Sequence, residues 1–265
     1  MNDLLNIAIT ASIDAGLEIL KVYFTDFDVE YKEDKSPLTV ADKNANDRIV
    51  SYLEPTEIPI LSEEGRTIPF VERKEWEKLW IVDPLDGTKE FIKKNDEFTV
   101  NIALIENNSP VLGVIYAPVL DILYYGLLGE GAYRCNEASK KIDNFDELTA
   151  ASRKLPIAID KEYFGVVASR SHMSEETMSF IESLRNKHQN IEIVSKGSSL
   201  KLCMIAEGIA DIYPRFAPTS EWDTAAGHAI VNSMGGKVIQ ADNKENDIVY
   251  NKENILNPWF IAIGS

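Results

Sequence analysis

A change of rhythm near the middle of this 265-residue chain constrains its fold more than any other feature. In the first half the runs "FTVNIALIEN", "PVLGVIYAPV" and "ILYYGLLGEGAYR" follow one another with only short turn signals between them, such as Asn107-Asn108-Ser109-Pro110. Strands joined this tightly predict an antiparallel meander. In the second half, strands ("YFGVVAS", "IEIVSKG", "ADIYPRF", "GKVIQ") alternate with helical segments, which predicts α/β layers. The polar crossing "NFDELTAASRKLPIAIDKE" separates the two patterns. The expected organisation is a subdomain over residues 1–150 and a second over 151–265, sharing one crevice.

Ahead of the meander, residues 3–24 carry apolar side chains at a spacing near 3.6, which predicts a helix. A second helix is expected from Thr39, with Thr39 as N-cap and Asp42 completing a capping box. "IPILSEEG" reads as a short buried strand, and "RTIPFVERKEWEK" as a mobile charged stretch. The N-terminal segment has neither the basic start nor the small-residue cleavage site of a signal peptide. No apolar run approaches the roughly 18 residues of a membrane span. Cys135 and Cys203 lie far apart, so no disulfide framework or zinc knuckle is indicated and a cytoplasmic location is expected. A net charge of −16 argues against binding a nucleic-acid polymer, which needs a basic face.

Chemistry concentrates where elements end. In "LWIVDPLDGTKEF", Pro84 stops the strand and Gly87 permits a tight turn, crowding Asp83, Asp86 and the Leu85 carbonyl at one strand end. Hard oxygen donors of this kind suit Mg²⁺; an Asx-turn in which each aspartate satisfies a backbone N–H is the alternative. Glu63 and Glu64 end another strand, while Asp42 and Asp223 stand at helix starts, where simple capping is the alternative reading. Clustered without cations, such groups would repel one another and raise each other's pKa. "VSKGSSLK" places Gly197, Ser198 and Ser199 between strand and helix, where backbone N–H groups suit a phosphate, with Lys201 one turn on. "ASRSHMS" ends another strand with Ser169 and His172. Together these point to a small phosphorylated substrate at a metal site.

"WIVDPLDGT" together with "WDTAAGHA", with "LSEEG" and "SPLTVADK" in matching order, resembles the signatures of the lithium-sensitive, Mg²⁺-dependent inositol monophosphatase superfamily. "EFTVNIALI", "GVIYAP", "SRSH", "YPRFAPTSEWDTAAGHA" and "ILNP" are similar to its CysQ-type 3′(2′),5′-bisphosphate nucleotidases, over nearly the whole chain. That resemblance implies a layered αβαβα sandwich, classed as α+β or α/β, and removal of the 3′-phosphate of 3′-phosphoadenosine 5′-phosphate, a by-product of sulfate activation. It implies Glu63, Asp83, Leu85 (by its carbonyl), Asp86 and Asp223 as ligands of about two or three Mg²⁺ ions. Asp42 and Thr88 would then orient the attacking water and take its proton. Gly87 and Thr88 would hold the scissile phosphate, and Ser169, His172, Gly197, Lys201 and Asp223 the rest of the nucleotide. Bacterial members associate peripherally with the inner membrane, so the resemblance allows that here. Residues 65–78 and 136–162 depart from the pattern. An inositol or sugar phosphatase with the same metals, or a non-catalytic metal- or nucleotide-binding regulator, are the competing readings.

Overall fold

The computed structural model describes residues 1–31, 37–142, 144–157, 160–168 and 173–265. Helix α1 (Asn2–Tyr23) leads to a two-stranded ladder, β1 (Glu30–Tyr31) and β2 (Pro37–Leu38), then to α2 (Val40–Leu53), β3 (Ile60–Ser62), α3 (Phe70–Arg73) and β4 (Lys78–Asp86). After α4 (Thr88–Ile92) come β5 (Thr99–Glu106), β6 (Ser109–Ala117), β7 (Ile122–Leu127), β8 (Gly131–Asn136), α5 (Phe145–Ala151) and β9 (Arg153–Lys154). The second half holds β10 (Phe164–Val167), α6 (Glu175–Arg185), β11 (Ile191–Val194), α7 (Leu200–Glu207), β12 (Ile212–Arg215), α8 (Glu221–Ser233), β13 (Lys237–Gln240) and β14 (Phe260–Ile263).

Strands β3 to β9 form one sheet in sequence order, antiparallel throughout except for β3 beside β4. This is the expected meander. Its last strand, β9, reaches Lys154 and so lies past residue 150, where the second subdomain was expected to begin. A second sheet runs β11-β10-β12-β14-β13, parallel up to β12 and antiparallel beyond it. Strand β14 had no counterpart in the sequence reading. "FIAI" is four residues long, and its place between β12 and β13 is set by pairing with them rather than by a local signal.

Alternating side chains of β4 and β5 explain why these strands read as unbroken apolar runs. Trp80, Val82, Ile102 and Leu104 pack with α1 and α2, whereas Leu79, Ile81, Ala103 and Ile105 face the opposite way, with α7 and α8. A sheet covered on both faces has no polar side to show. The second sheet covers the far side of α7 and α8, and α6 closes the stack through Ile181 against Val166, Ile212 and Ile261. The order is helix, sheet, helix, sheet, helix, the expected αβαβα sandwich. Helix α8 lies so close to the meander that a Cβ at Gly113 would stand 2.2 Å from the Ala226 carbonyl oxygen. Among the described residues no helix is long and apolar enough to cross a membrane.

The charged stretch before β4 is anchored rather than mobile. Arg73 is buried, donates to Asn251 Oδ1 at 2.8 Å and to the Glu253 carbonyl at 3.3 Å, and its own carbonyl accepts from Asn251 Nδ2 at 2.8 Å. Charge composition misled here because the guanidinium is spent on a segment 178 residues away in sequence.

His228 sits in the core between α8 and the meander, its Nδ1 3.0 Å from the Tyr250 hydroxyl and its Nε2 without a hydrogen-bond partner among the described residues. Burial pushes its pKa down to about 3. The unfolded chain takes up this proton below about pH 6.5 while the folded chain does not, so stability is lost as pH falls from 6.5 towards 3. Urea titrations should show wild type losing about 1.4 kcal/mol per pH unit more than His228→Gln across that window. Parallel pH dependences would show that His228 is protonated in the folded state.

Candidate active site

Strand β4 stays buried through Leu85 and then turns. Between Asp83 and Asp86 its register against β5 slips, Asp83 facing Asn101 and Asp86 facing Thr99, so one extra residue bulges at the strand end. The Leu85 amide donates to Asp83 Oδ1 at 3.1 Å, the Asx-turn envisaged from sequence. Gly87, at φ 94°, takes a left-handed conformation that swings the chain into α4 at Thr88. Asp86 accepts from the Ser199 backbone N–H and from Asn101 Nδ2 at 3.4 Å.

Two helix starts meet this turn. Asp42 Oδ2 caps α2, accepting from Thr39 N at 2.8 Å and Thr39 Oγ1 at 2.7 Å, which leaves Oδ1 3.4 Å from Thr88 Oγ1. The expected capping box and the expected Asp42–Thr88 pairing are therefore the same carboxylate used twice. Thr88 Oγ1 also lies 3.4 Å from the Leu85 carbonyl. Asp223 is the third residue of α8 and commits one oxygen, Oδ2, to the Ser220 N–H at 2.8 Å. Glu63 follows β3 and is tied to β4 by its amide, 3.1 Å from the Val82 carbonyl.

These acids act on one another. The Asp83 carboxyl is held well above the usual range by burial and then by the charges of Glu63, Asp86, Asp223 and Asp42. Burial and Asp223 push Asp86 up to about 7, against Lys201, Asn101 and the Ser199 N–H. Burial and Glu63 push Asp223 up to about 6, against the Ser220 N–H, Arg215 and Lys201. Burial likewise raises Asp42. No three acid, imidazole or thiol groups among the described residues are already closed round a point, so a shared ion requires side-chain rotation on these fixed backbones. The donor chemistry fits a hard divalent cation: oxygen ligands, buried or half-buried and mutually repelling.

Beside the acids lies a cavity of about 320 Å³ lined by Asp86, Gly87, Ser198, Lys201, Arg215 and Asp223 among others. Lys201 Nζ donates to the Ser198 carbonyl at 3.2 Å; burial lowers its pKa while Asp86 opposes that. Gly197 is placed as expected, but its amide already donates to Glu97 Oε2 at 2.7 Å, with Lys196 Nζ 3.0 Å from Glu97 Oε1. A Cβ at Gly197 would stand 2.8 Å from the Glu97 carbonyl oxygen, so glycine serves close loop approach here. Ser169 and His172 lie outside the described residues. Sequence reasoning missed Arg215, whose buried Nε has no partner among the described residues. Its signal was a cation at the C-terminal end of a strand of the second sheet, where ligands of α/β proteins collect.

A family model for the inositol monophosphatase family matches residues 1–261. The chain belongs to that family. Within it, the chain is 45% identical over 251 residues to the 3′(2′),5′-bisphosphate nucleotidase CysQ of Salmonella typhimurium, covering 93% of this chain and 94% of that protein. It is 41% identical over 251 residues to its namesake in Escherichia coli K12, with the same coverage. Among solved structures it is similar to CysQ from Bacteroides thetaiotaomicron, described as a bacterial member of the family, at 50% identity and TM-score 0.89 over 97% of this chain and 96% of that one.

If repulsion among buried carboxylates is the cost this family member bears for its site, removing one charge should stabilise the ion-free protein. Asp86→Asn is expected to raise unfolding stability in EDTA at mildly alkaline pH by on the order of 1 kcal/mol or more, and to remove any stabilisation that added Mg²⁺ gives. Urea melts with and without Mg²⁺ check both halves; a destabilised variant that still responds to Mg²⁺ would remove Asp86 from the ligand set.

Proposed function

We propose that this chain is a Mg²⁺-dependent 3′(2′),5′-bisphosphate nucleotidase that converts 3′-phosphoadenosine 5′-phosphate to AMP and phosphate. The observation that carries the reading is the juxtaposition, in one cleft, of the acids with two cations. Asp86 and Asp223 line the same cavity as Lys201 and Arg215, which gives a reacting phosphate and a second phosphate separate partners. Relatives named for this activity match across nearly the whole chain.

Glu63, Asp83, Asp86, Asp223 and the Leu85 carbonyl would hold the ions. Bound divalent cations would polarise the phosphate and acidify a water, chemistry that a reaction with so slow a background rate requires. The chain's own residues supply the rest. Thr88 Oγ1 lies 3.4 Å from both Asp42 Oδ1 and the Leu85 carbonyl and can donate its one proton to either, which leaves its lone pairs to accept from the water and so orient it. Asp42, with its pKa raised by burial, is a better proton acceptor than an exposed aspartate. The turn at Gly87 and Thr88 presents backbone N–H groups to the scissile phosphate. Lys201 and Arg215 take the second phosphate. A smaller adjoining cavity, lined by Met173 and Phe216 and sharing Lys201 and Arg215, offers an apolar seat for a base. Ser169 and His172, next to Ala168 and Met173 in sequence, would complete that grip, as the resemblance implies.

A cytoplasmic enzyme follows from this substrate. The net charge of −16 disfavours the peripheral contact with an anionic leaflet that the resemblance allowed.

Phosphate release should be fast with 3′-phosphoadenosine 5′-phosphate, slow with inositol 1-phosphate and fructose 1,6-bisphosphate, dependent on Mg²⁺ and suppressed by Li⁺. Lys201→Ala should raise KM for the bisphosphate about tenfold or more while changing that for 3′-AMP little. Preference for inositol 1-phosphate would overturn the substrate assignment, and equal losses on both nucleotides would remove the Lys201 contact. Thr88→Ala should lower kcat by about 10²–10⁴-fold with little change in the Mg²⁺ requirement. A wild-type kcat would take Thr88 out of the reaction.

A further inference from the structure

The sequence motif "ILNP" has no part in the site as described so far, yet its asparagine touches the helix that carries Asp223 at four points. Asn257 N donates to the Thr219 carbonyl at 2.8 Å. Its buried amide nitrogen, Nδ2, reaches the Ser220 carbonyl at 2.7 Å, Thr224 Oγ1 at 2.9 Å and Thr219 Oγ1 at 3.3 Å. Asp223 lies between Ser220 and Thr224, and its Oδ2 is bound to the Ser220 N–H. Both sides of the peptide to which Asp223 anchors itself are thus held, the N–H by Asp223 and the flanking carbonyl by Asn257.

The segment bearing Asn257 is itself clamped. Glu221, fully buried in the first turn of α8, accepts from Asn251 N at 2.7 Å, Lys252 N at 2.9 Å and Lys252 Nζ at 2.6 Å, and its own amide donates to the Ile255 carbonyl at 2.9 Å. Asn251 is gripped in turn by Arg73, from the stretch before β4. Residues 251–257 therefore form a strap around the start of α8, tied at its far end to α3 through Arg73.

We propose that Asn257 is a positioning residue for Asp223, fixing that carboxylate's approach to a divalent cation through the first turn of α8. The proposal rests on the metal reading above. Asn257 touches no substrate atom and moves no proton. Its amide is the only part of the strap that bonds on both sides of Asp223, before it at Ser220 and after it at Thr224. A carboxylate free to swing must be ordered when an ion binds, so losing this hold weakens ion binding; outer partners of ligands typically alter metal affinity about 10–100-fold.

The test compares wild type, Asn257→Ala, the isosteric Asn257→Asp and Ile181→Ala, a core variant in the outer layer that lowers stability without approaching the site. Thermal unfolding is followed against Mg²⁺ concentration with no substrate present, and kcat and KM are then measured at saturating Mg²⁺. Both Asn257 variants should need about tenfold more Mg²⁺ or greater to reach a given rise in Tm above their own ion-free value, while Ile181→Ala follows the wild-type curve. Once Mg²⁺ saturates turnover, kcat should fall far less than this Mg²⁺ requirement rises. A wild-type Mg²⁺ requirement in both Asn257 variants, with only a lower ion-free Tm as in Ile181→Ala, would overturn the proposal and leave the metal reading standing. Absence of any Mg²⁺-induced Tm rise in wild type would overturn both.

Discussion

Everything at this site depends on holding like charges in a place that repels them. Asp83 and Asp86 leave a strand end, and Asp42 and Asp223 leave helix starts, all into a crevice where burial raises their pKa values. A side chain free to rotate would relieve the strain by turning to solvent. Three of the four are instead tied by one oxygen to their own backbone neighbourhood, Asp83 to the Leu85 amide, Asp42 to Thr39 and Asp223 to Ser220, while Asp86 is held by the Ser199 N–H and Asn101. Local capping, which from sequence competed with ligation as an explanation, is compatible with it, since on the proposed reading the second oxygen of each carboxylate is left for an ion.

That arrangement needs backbones which cannot move apart, and the sandwich provides them. Helix α8 is pressed against the meander closely enough to require glycine at position 113, and this brings Asp223 to the sheet that bears Asp83 and Asp86. On the other face, α2 packs through Ala41, Ala45 and Ile49, small or well-fitted side chains that set Asp42 over Thr88. Fold and site are linked through these two close contacts. A substitution that lifted either helix would cost affinity for ions before it cost secondary structure.

Much of this was legible in the sequence, because strand ends and helix caps leave local marks. Pro84 and Gly87 signalled the turn, and Thr39 with Asp42 signalled the helix start that the structure shows. What stayed hidden was long-range. Arg73 looked like a solvated charge because its partners are Asn251 and Glu253, and the role of Asn257 needs α8 beside it to be seen. Strand β14 was missed for the same reason, since its place between β12 and β13 is decided by pairing rather than by its own four residues. Sequence periodicity reports what a segment buries and is silent on what it is buried against.

The loop "KGSS" shows how far such a reading can be right in place and different in mechanism. Its glycine was expected to lend an amide to phosphate, but Glu97 already occupies that amide together with Lys196, joining the two halves across the cleft. Ser199 is similarly engaged, its N–H on Asp86 and its hydroxyl 2.8 Å from Asn101 Oδ1. A loop whose donors are spent on carboxylates of the opposite half serves to close the crevice. On the proposed reading the charge of a second phosphate would therefore fall to side chains, Lys201 and Arg215, whose reach and planarity would select a phosphate by distance from the reacting one. Discrimination between a bisphosphate and a monophosphate would then reside in the spacing of two cations from the acids, a length set by the packing of α7 and β12 against each other.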